Sequence, residues 1–124
     1  MFTDLANTQR LLQGQQLWLG EEAKELFYSD FPSEEMKQQY FDALQPQAYS
    51  AFGTAVDFIP ADVTTIPKTY IVCDDDAGLP PQVQAHFAAA SGSTEVHVAG
   101  GHSAFASRPN EVADLLVGLA EKKS

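Results

Sequence analysis

A single cysteine among 124 residues excludes two classes of protein at once. With Cys73 alone there is no internal disulfide framework and no cysteine cluster for a metal. Cys73 ends the apolar run Tyr70-Ile71-Val72-Cys73, which predicts a buried, inert thiol rather than a reactive one. Basic side chains are scarce as well: 7 Lys and Arg stand against 17 Asp and Glu, a net charge of −10. Nucleic acid and anionic membrane are therefore excluded as partners, since phosphate neutralisation and lipid attraction both need a basic patch. The charge favours solubility. No window approaches the ~18 consecutive apolar residues of a membrane span. The opening Met1-Phe2-Thr3-Asp4-Leu5 has neither the positive region nor the apolar core of a signal peptide. A soluble, cytoplasmic protein is the expectation.

What is present centres on residues 68–109. Tyr70 to Cys73 reads as a strand that stops at three carboxylates, Asp74-Asp75-Asp76. Glu95-Val96-His97-Val98 reads as a second strand that stops at Gly100-Gly101-His102. Between them Pro80-Pro81 opens a helix, with Val83, Phe87 and Ala90 as its apolar stripe and Ser91-Gly92 as its end. Parallel strands joined by a helix place their carboxyl ends on one rim, where ligands and catalytic groups collect in open sheets. The Asp cluster and His102 are thus expected on the same rim. A carboxylate that orients an imidazole is two-thirds of a Ser-His-Asp site.

The rest of the chain is less explicit. Residues 1–19, with Phe2, Leu5, Leu11, Leu12, Leu17 and Trp18 scattered around Gly14, predict a poorly specified helix or an irregular segment. Glu21 to Ser29 reads as a short helix, and Asp30-Phe31-Pro32 breaks it. Ser33 is a helix cap for Glu34 to about Leu44, whose Met36, Tyr40, Phe41 and Leu44 form one apolar face. Residues 48–67 read as a connector with Gly53, Pro60 and Pro67 as punctuation. Ser107-Arg108-Pro109 starts a last helix, with Ser107 as cap and Val112, Leu115, Leu116 and Leu119 at helical spacing. Two strands cannot cover both faces of their own sheet, so the sequence describes one edge of a larger sheet.

At these residues the chain resembles the carboxyl-terminal half of an α/β-hydrolase, in the esterase, methylesterase and hydroxynitrile-lyase branch. Residues 67–80, from Pro67 through Asp74-Asp75-Asp76-Ala77-Gly78-Leu79-Pro80, are similar to that family's strand and Cys-Glu-x-Asp-x-x-Ile-Pro loop. Residues 99–109, with Gly100-Gly101-His102-Ser103-Ala104-Phe105 and Ser107-Arg108-Pro109, are similar to its Gly-His-Ser-Pro-Phe-x-Ser-Lys-Pro segment. Leu26-Phe27-Tyr28-Ser29-Asp30 and Gln45-Pro46-Gln47 are similar to pieces of its cap. The resemblance covers about residues 20–122 and implies a partial α/β-hydrolase fold. The last two parallel strands and their helices are present with remnants of a helical cap, and the amino-terminal half of the sheet is absent. Residues 1–124 then form one partial domain: cap-like helices over 1–47, a connector over 48–67, and the terminal strand-helix-strand-helix unit over 68–124.

By the same resemblance Asp76, four residues before Pro80, falls on the catalytic acid and His102 on the catalytic base. Asp74 falls on a non-catalytic glutamate, and Asp75 is read as solvated. The family's nucleophile stands in Gly-x-Ser-x-Gly, and no such motif occurs in these residues. The nearest decoy, Gly101-His102-Ser103-Ala104-Phe105, has Phe105 in place of the second glycine. The resemblance implies no cofactor and no metal, although Asp74, Asp76 and His102 are residue types that bind one. Asp76 has a plainer reading as a turn or cap residue before the Pro80 helix, and His86 and His97 read as structural or exposed.

Two expectations of function follow. The chain is the carboxyl-terminal portion of an ester hydrolase, inactive alone, acting on a small ester only when an amino-terminal half completes it. Alternatively, it is a non-enzymatic remnant or interaction module that keeps the fold's edge. Either way the bare sheet edge and the unfloored aromatic face predict self-association.

Overall fold

The computed structural model describes residues 9–13, 16–57 and 63–122. The chain runs β1 (Gln9–Gln13), β2 (Gln16–Leu19), α1 (Ala23–Phe27), α2 (Glu34–Asp42), β3 (Gln47–Ala48), α3 (Ser50–Gly53), β4 (Thr69–Cys73), α4 (Pro81–Ala90), β5 (Thr94–Val98), α5 (Ala104–Ser107) and α6 (Pro109–Glu121). Two sheets result among the described residues: an antiparallel β1-β2-β3 and a parallel β4-β5.

The first sheet corrects the helical or irregular reading of residues 1–19. Leu12 is in antiparallel register with Leu17 and Leu11 with Trp18, so these residues form paired strands instead of a helix. The leucines that defeat a 3.6-residue period satisfy a cross-strand one. Phe2, Leu5 and Gly14 lie outside the described residues. The stretch read as a connector also supplies structure: Gln47 and Ala48 pair with Leu17 and Gln16, and Ser50–Gly53 forms one helical turn. Phe58, Ile59 and Pro60 fall outside the described residues.

The two short helices are where the sequence placed them. Ser33 caps α2 with its hydroxyl, which accepts from Met36 N–H at 3.1 Å. Lys37 joins α2 to α1 through both carboxylate oxygens of Glu25 at 3.2 Å. Tyr28, Phe31 and Tyr40 form an aromatic knot between them, with ring centroids 4.9, 5.7 and 4.9 Å apart. Met36, Tyr40, Phe41 and Leu44 are all half-buried.

The strand-helix-strand unit is parallel and in register, Thr69 opposite Thr94 through Cys73 opposite Val98. Val72 and Val98 are buried, as is Ala88 of the crossing helix. The face α4 presents differs from the predicted stripe. Gln84 and Ala88 are buried, while Phe87 and Ala90 are exposed and Val83 half-buried. Small Ala88 permits close approach, and the Gln84 amide is held inward by backbone groups at the end of β4. Gly92, at φ +66°, ends the helix, with Ser93 N–H on Ala88 O and Gly92 N–H on Ala89 O. This pair of bonds needs a left-handed residue, which glycine adopts without penalty.

Ser107 does not cap the last helix. It closes α5, and its hydroxyl donates to Asp30 Oδ2 at 2.7 Å, leaving Arg108 at the cap position with no side-chain capping bond. α6 has no buried residue: Val112, Leu115 and Leu119 are half-buried and Leu116 is 55% exposed. Its apolar face is thus only partly covered. β4 pairs with β5 alone among the described residues, and its other edge carries no strand.

Candidate functional site

The two strands deliver their loops to the same rim and lace them together. Asp74 N–H donates to Val98 O and Asp75 N–H to Gly100 O, both at 3.0 Å. The loop after β4 is thereby fixed against the loop after β5. Asp76 turns inward from it, its side chain only 4% exposed. Its Oδ1 accepts from Gly78 N–H and Leu79 N–H, each at 2.8 Å, and Oδ2 accepts from Gln84 Nε2 at 3.1 Å. The plain reading of Asp76 as a turn residue is therefore correct, but it does not use up the carboxylate. His102 Nδ1 lies 3.1 Å from Oδ1 and 3.0 Å from Oδ2.

A carboxylate accepts, so Nδ1 of His102 is the donor in this contact and Nε2 is the ring nitrogen turned to other partners. Nε2 has no hydrogen-bond partner among the described residues. Phe27 of the first helix lies against the imidazole, ring centroids 4.7 Å apart and planes tilted by 40°. Gly78 lets that packing close, because a Cβ there would meet the Phe27 ring at 3.1 Å and His102 Nδ1 at 3.4 Å. The imidazole remains 36% exposed. A groove of about 340 Å³ opens beside it along the unpaired edge of β4, lined by Tyr70, Cys73, Asp76, Leu79, Gln84 and His102 among others.

Three residues matter here that the sequence did not place at the site. Gln84, 2% exposed, accepts from Cys73 N–H at 2.9 Å and donates to Leu79 O at 2.7 Å as well as to Asp76. Because Asp74 N–H faces β5, strand alternation points Cys73 N–H toward the open edge, and Gln84 closes it there. Asp30 Oδ2 accepts from Gly101 N–H at 2.7 Å, one residue before His102. Phe27 supplies the ring against the imidazole. A polar residue at a buried helix position was the one available signal for Gln84, and the pattern search looked for apolar positions only.

The remaining expectations divide. Asp75 is exposed. Asp74 turns away from Asp76 to meet His97 Nδ1 at 2.7 Å, and no group of three His, Cys, Asp or Glu among the described residues is placed to hold a metal. Ser103 is buried, and among the described residues no hydrogen bond joins its side chain to His102. Burial pushes the Cys73 thiol up, and the nearby Asp76, Asp30 and Asp74 push it further, which keeps it protonated and unreactive. No helix among the described residues is long and apolar enough to cross a membrane.

Comparison with known proteins agrees with this architecture. No curated protein matches the chain. Among solved structures, the pyrethroid hydrolase PytH superposes with a TM-score of 0.74 at 22% identity, covering 93% of this chain and 47% of that one. A pyrethroid hydrolase from Sphingobium faniae JZ-2 gives a TM-score of 0.72 at 24% identity, covering 95% of this chain and 47% of that one. The chain thus spans about half the length of the structures it matches. The profile described as the alpha/beta hydrolase family matches residues 2–115. With a two-stranded parallel remnant of the sheet and a match over nearly its whole length, the chain belongs to the α/β-hydrolase family.

Proposed function

We propose that this chain supplies the acid and the base of a serine ester-hydrolase site whose nucleophile and oxyanion donors come from an amino-terminal half. The observation that carries this reading is the buried Asp76 carboxylate on Nδ1 of His102, with Nε2 left free on a rim that opens to a groove. In such a site a serine Oγ attacks the ester carbonyl carbon and its proton passes to Nε2 of His102. The imidazolium then gives that proton to the leaving alkoxide as the C–O bond breaks. Water repeats the cycle on the acyl-enzyme, and Asp76 holds the ring in position and stabilises its charge throughout. Backbone amides of the amino-terminal half stabilise the oxyanion.

The matched structures are named as pyrethroid hydrolases, which supports ester chemistry as the reaction class. No Gly-x-Ser-x-Gly stands in these residues, so the chain alone turns over no ester. A cytoplasmic setting and an ester substrate of small size belong to the same reading. The unpaired edge of β4, with the exposed Leu116 and Val117 of α6, makes the isolated chain self-associate.

A p-nitrophenyl ester assay tests the proposal. The purified chain gives no turnover above buffer, and addition of an amino-terminal half bearing Gly-x-Ser-x-Gly creates an activity that His102→Ala abolishes. Turnover by the isolated chain that depends on His102 would show that the nucleophile lies within these residues. Size-exclusion chromatography with light scattering reports the association, and a sharply melting monomer favours instead the non-enzymatic module, a chain that closes its own core.

A further inference from the structure

We infer that Asp30 is a positioning residue for His102, holding the base loop at both of its ends from the cap-like helices; this rests on the reading of His102 as the base. One carboxylate oxygen does both tasks. Asp30 Oδ2 accepts from Gly101 N–H at 2.7 Å, immediately before His102, and from Ser107 Oγ at 2.7 Å, where the one-turn α5 ends. The segment between those two bonds contains His102 itself. Charge-assisted bonds of this length are about twice as strong as neutral ones.

The approach is close enough to dictate its neighbours. A Cβ on Gly101 would meet Asp30 Oδ1 at 2.6 Å and Cγ at 2.9 Å, so only glycine admits the carboxylate. At Gly100 the tight neighbours of a Cβ are Arg108 Cγ at 3.0 Å and Ala104 Cβ at 3.2 Å, with Asp30 Oδ2 at an ordinary 3.5 Å, so the seat of Asp30 accounts for Gly101. Oδ1 is buried and has no hydrogen-bond partner among the described residues, an arrangement that costs stability.

What holds Asp30 is the aromatic knot on either side of it. Tyr28 and Phe31 are both buried and stack with Tyr40 of α2. Phe27, on the same segment, lies against the His102 ring. The segment 27–31 therefore touches the base twice, by a ring on its face and by a carboxylate on the backbone at its root. Asp76 orients the imidazole from the sheet side, and Asp30 fixes the loop from the helical side.

The test reads the imidazole directly and needs no ester and no nucleophile, so a failed esterase assay and a failed positioning role are told apart. In the chain with isotope-labelled histidine, nitrogen correlation spectra report the tautomer of His102 and the exchange of its Nδ1 proton. The wild-type chain holds one tautomer with the proton on Nδ1. Asp30→Ala removes both bonds, mixes the tautomers and speeds exchange of that proton by roughly tenfold or more, as expected for lost bonds to a charged group. Asp30→Asn keeps an acceptor oxygen and restores the wild-type spectrum. Met36→Ala, which loosens α2 without touching Asp30, leaves the His102 signals in place. Ser107→Ala removes one of the two bonds and gives a smaller change in the same direction, and it decides the matter if Asp30→Ala does not fold. Unchanged His102 signals in folded Asp30→Ala or, failing that, in Ser107→Ala would overturn the inference. So would an equal change in Met36→Ala, or a failure of Asp30→Asn to rescue.

Discussion

Two histidine–aspartate pairs stand at the ends of the same two strands, and the shorter contact belongs to the one outside the candidate site. His97 of β5 meets Asp74 at 2.7 Å, while His102 meets Asp76 at 3.0 and 3.1 Å. Distance ranks them in the wrong order. What separates them is the state of every other atom in each pair. His97 Nε2 is taken by Glu95 at 2.7 Å, so both ring nitrogens face carboxylates and neither has a lone pair to spare. Asp74 is 45% exposed in its side chain. Asp76 is buried and held by three N–H donors besides the imidazole, and His102 Nε2 has no hydrogen-bond partner among the described residues. A site able to move a proton is defined by what remains unbonded at the end of a rigid chain of bonds.

The largest difference between the pairs is expected in catalysis. In the enzyme completed by a nucleophile-bearing half, His102→Ala lowers kcat about a thousandfold or more, and Asp76→Asn, which favours the wrong tautomer, does so by a similar amount. His97→Ala leaves kcat within roughly twofold, because surface ion pairs of this kind contribute little. Steady-state kinetics on the three variants decides it. Comparable losses from His97 and His102 would erase the distinction between the pairs.

Folding stability separates the two surroundings next. Gln84→Ala strips the bonds from Cys73 N–H and Leu79 O and removes a donor from Asp76, at a cost of about 2–4 kcal/mol in urea unfolding. Gly101→Ala forces a Cβ onto the Asp30 carboxylate and costs about 1–3 kcal/mol by the same measurement. Glu95→Ala, beside the exposed pair, stays within about 0.5 kcal/mol. If Gln84→Ala were as mild as Glu95→Ala, the amide would be a bystander and Asp76 would owe its placement to backbone alone.

The sequence made the rim legible because its signals there are local. An apolar run that ends at Asp74 and another that ends at Gly101 each announce a strand terminus, and proline at 80 and 81 announces the helix between them. Parallel pairing of β4 and β5 followed from that order, and with it the approach of Asp76 to His102. Less local features were missed. Asp30 and Gly101 are 71 residues apart, and no pattern along the chain connects them. Gln84 is a buried polar residue on a helix face, invisible to a search for apolar periodicity. The β1–β2 hairpin failed for another reason: short strands with leucines on adjacent positions show neither a clean alternation nor a helical stripe. Ser107 was read by its proximity to Pro109, and a stronger acceptor, the Asp30 carboxylate, took its hydroxyl.

The smallest effect is in the pH dependence of folding, and it belongs to the exposed pair. The pKa of His97 is raised above its ordinary value of 6.5, first by the hydrogen bond to Asp74 and then by that to Glu95. A group whose folded pKa lies above its unfolded one stabilises the fold fully at pH below the unfolded value. That contribution is lost as pH rises through the folded value. Replacing His97 with glutamine removes it, so the stability gap between wild type and His97→Gln is widest below the unfolded value of about 6.5 and closes as pH rises through the raised folded value. Urea midpoints across that range measure the gap, which is small because both carboxylates and the ring are exposed to solvent screening. A gap that widened with pH would mean that His97 is held neutral and therefore keeps a basic nitrogen. The two pairs would then differ in burial alone, and the division of labour drawn from their unbonded atoms would fall.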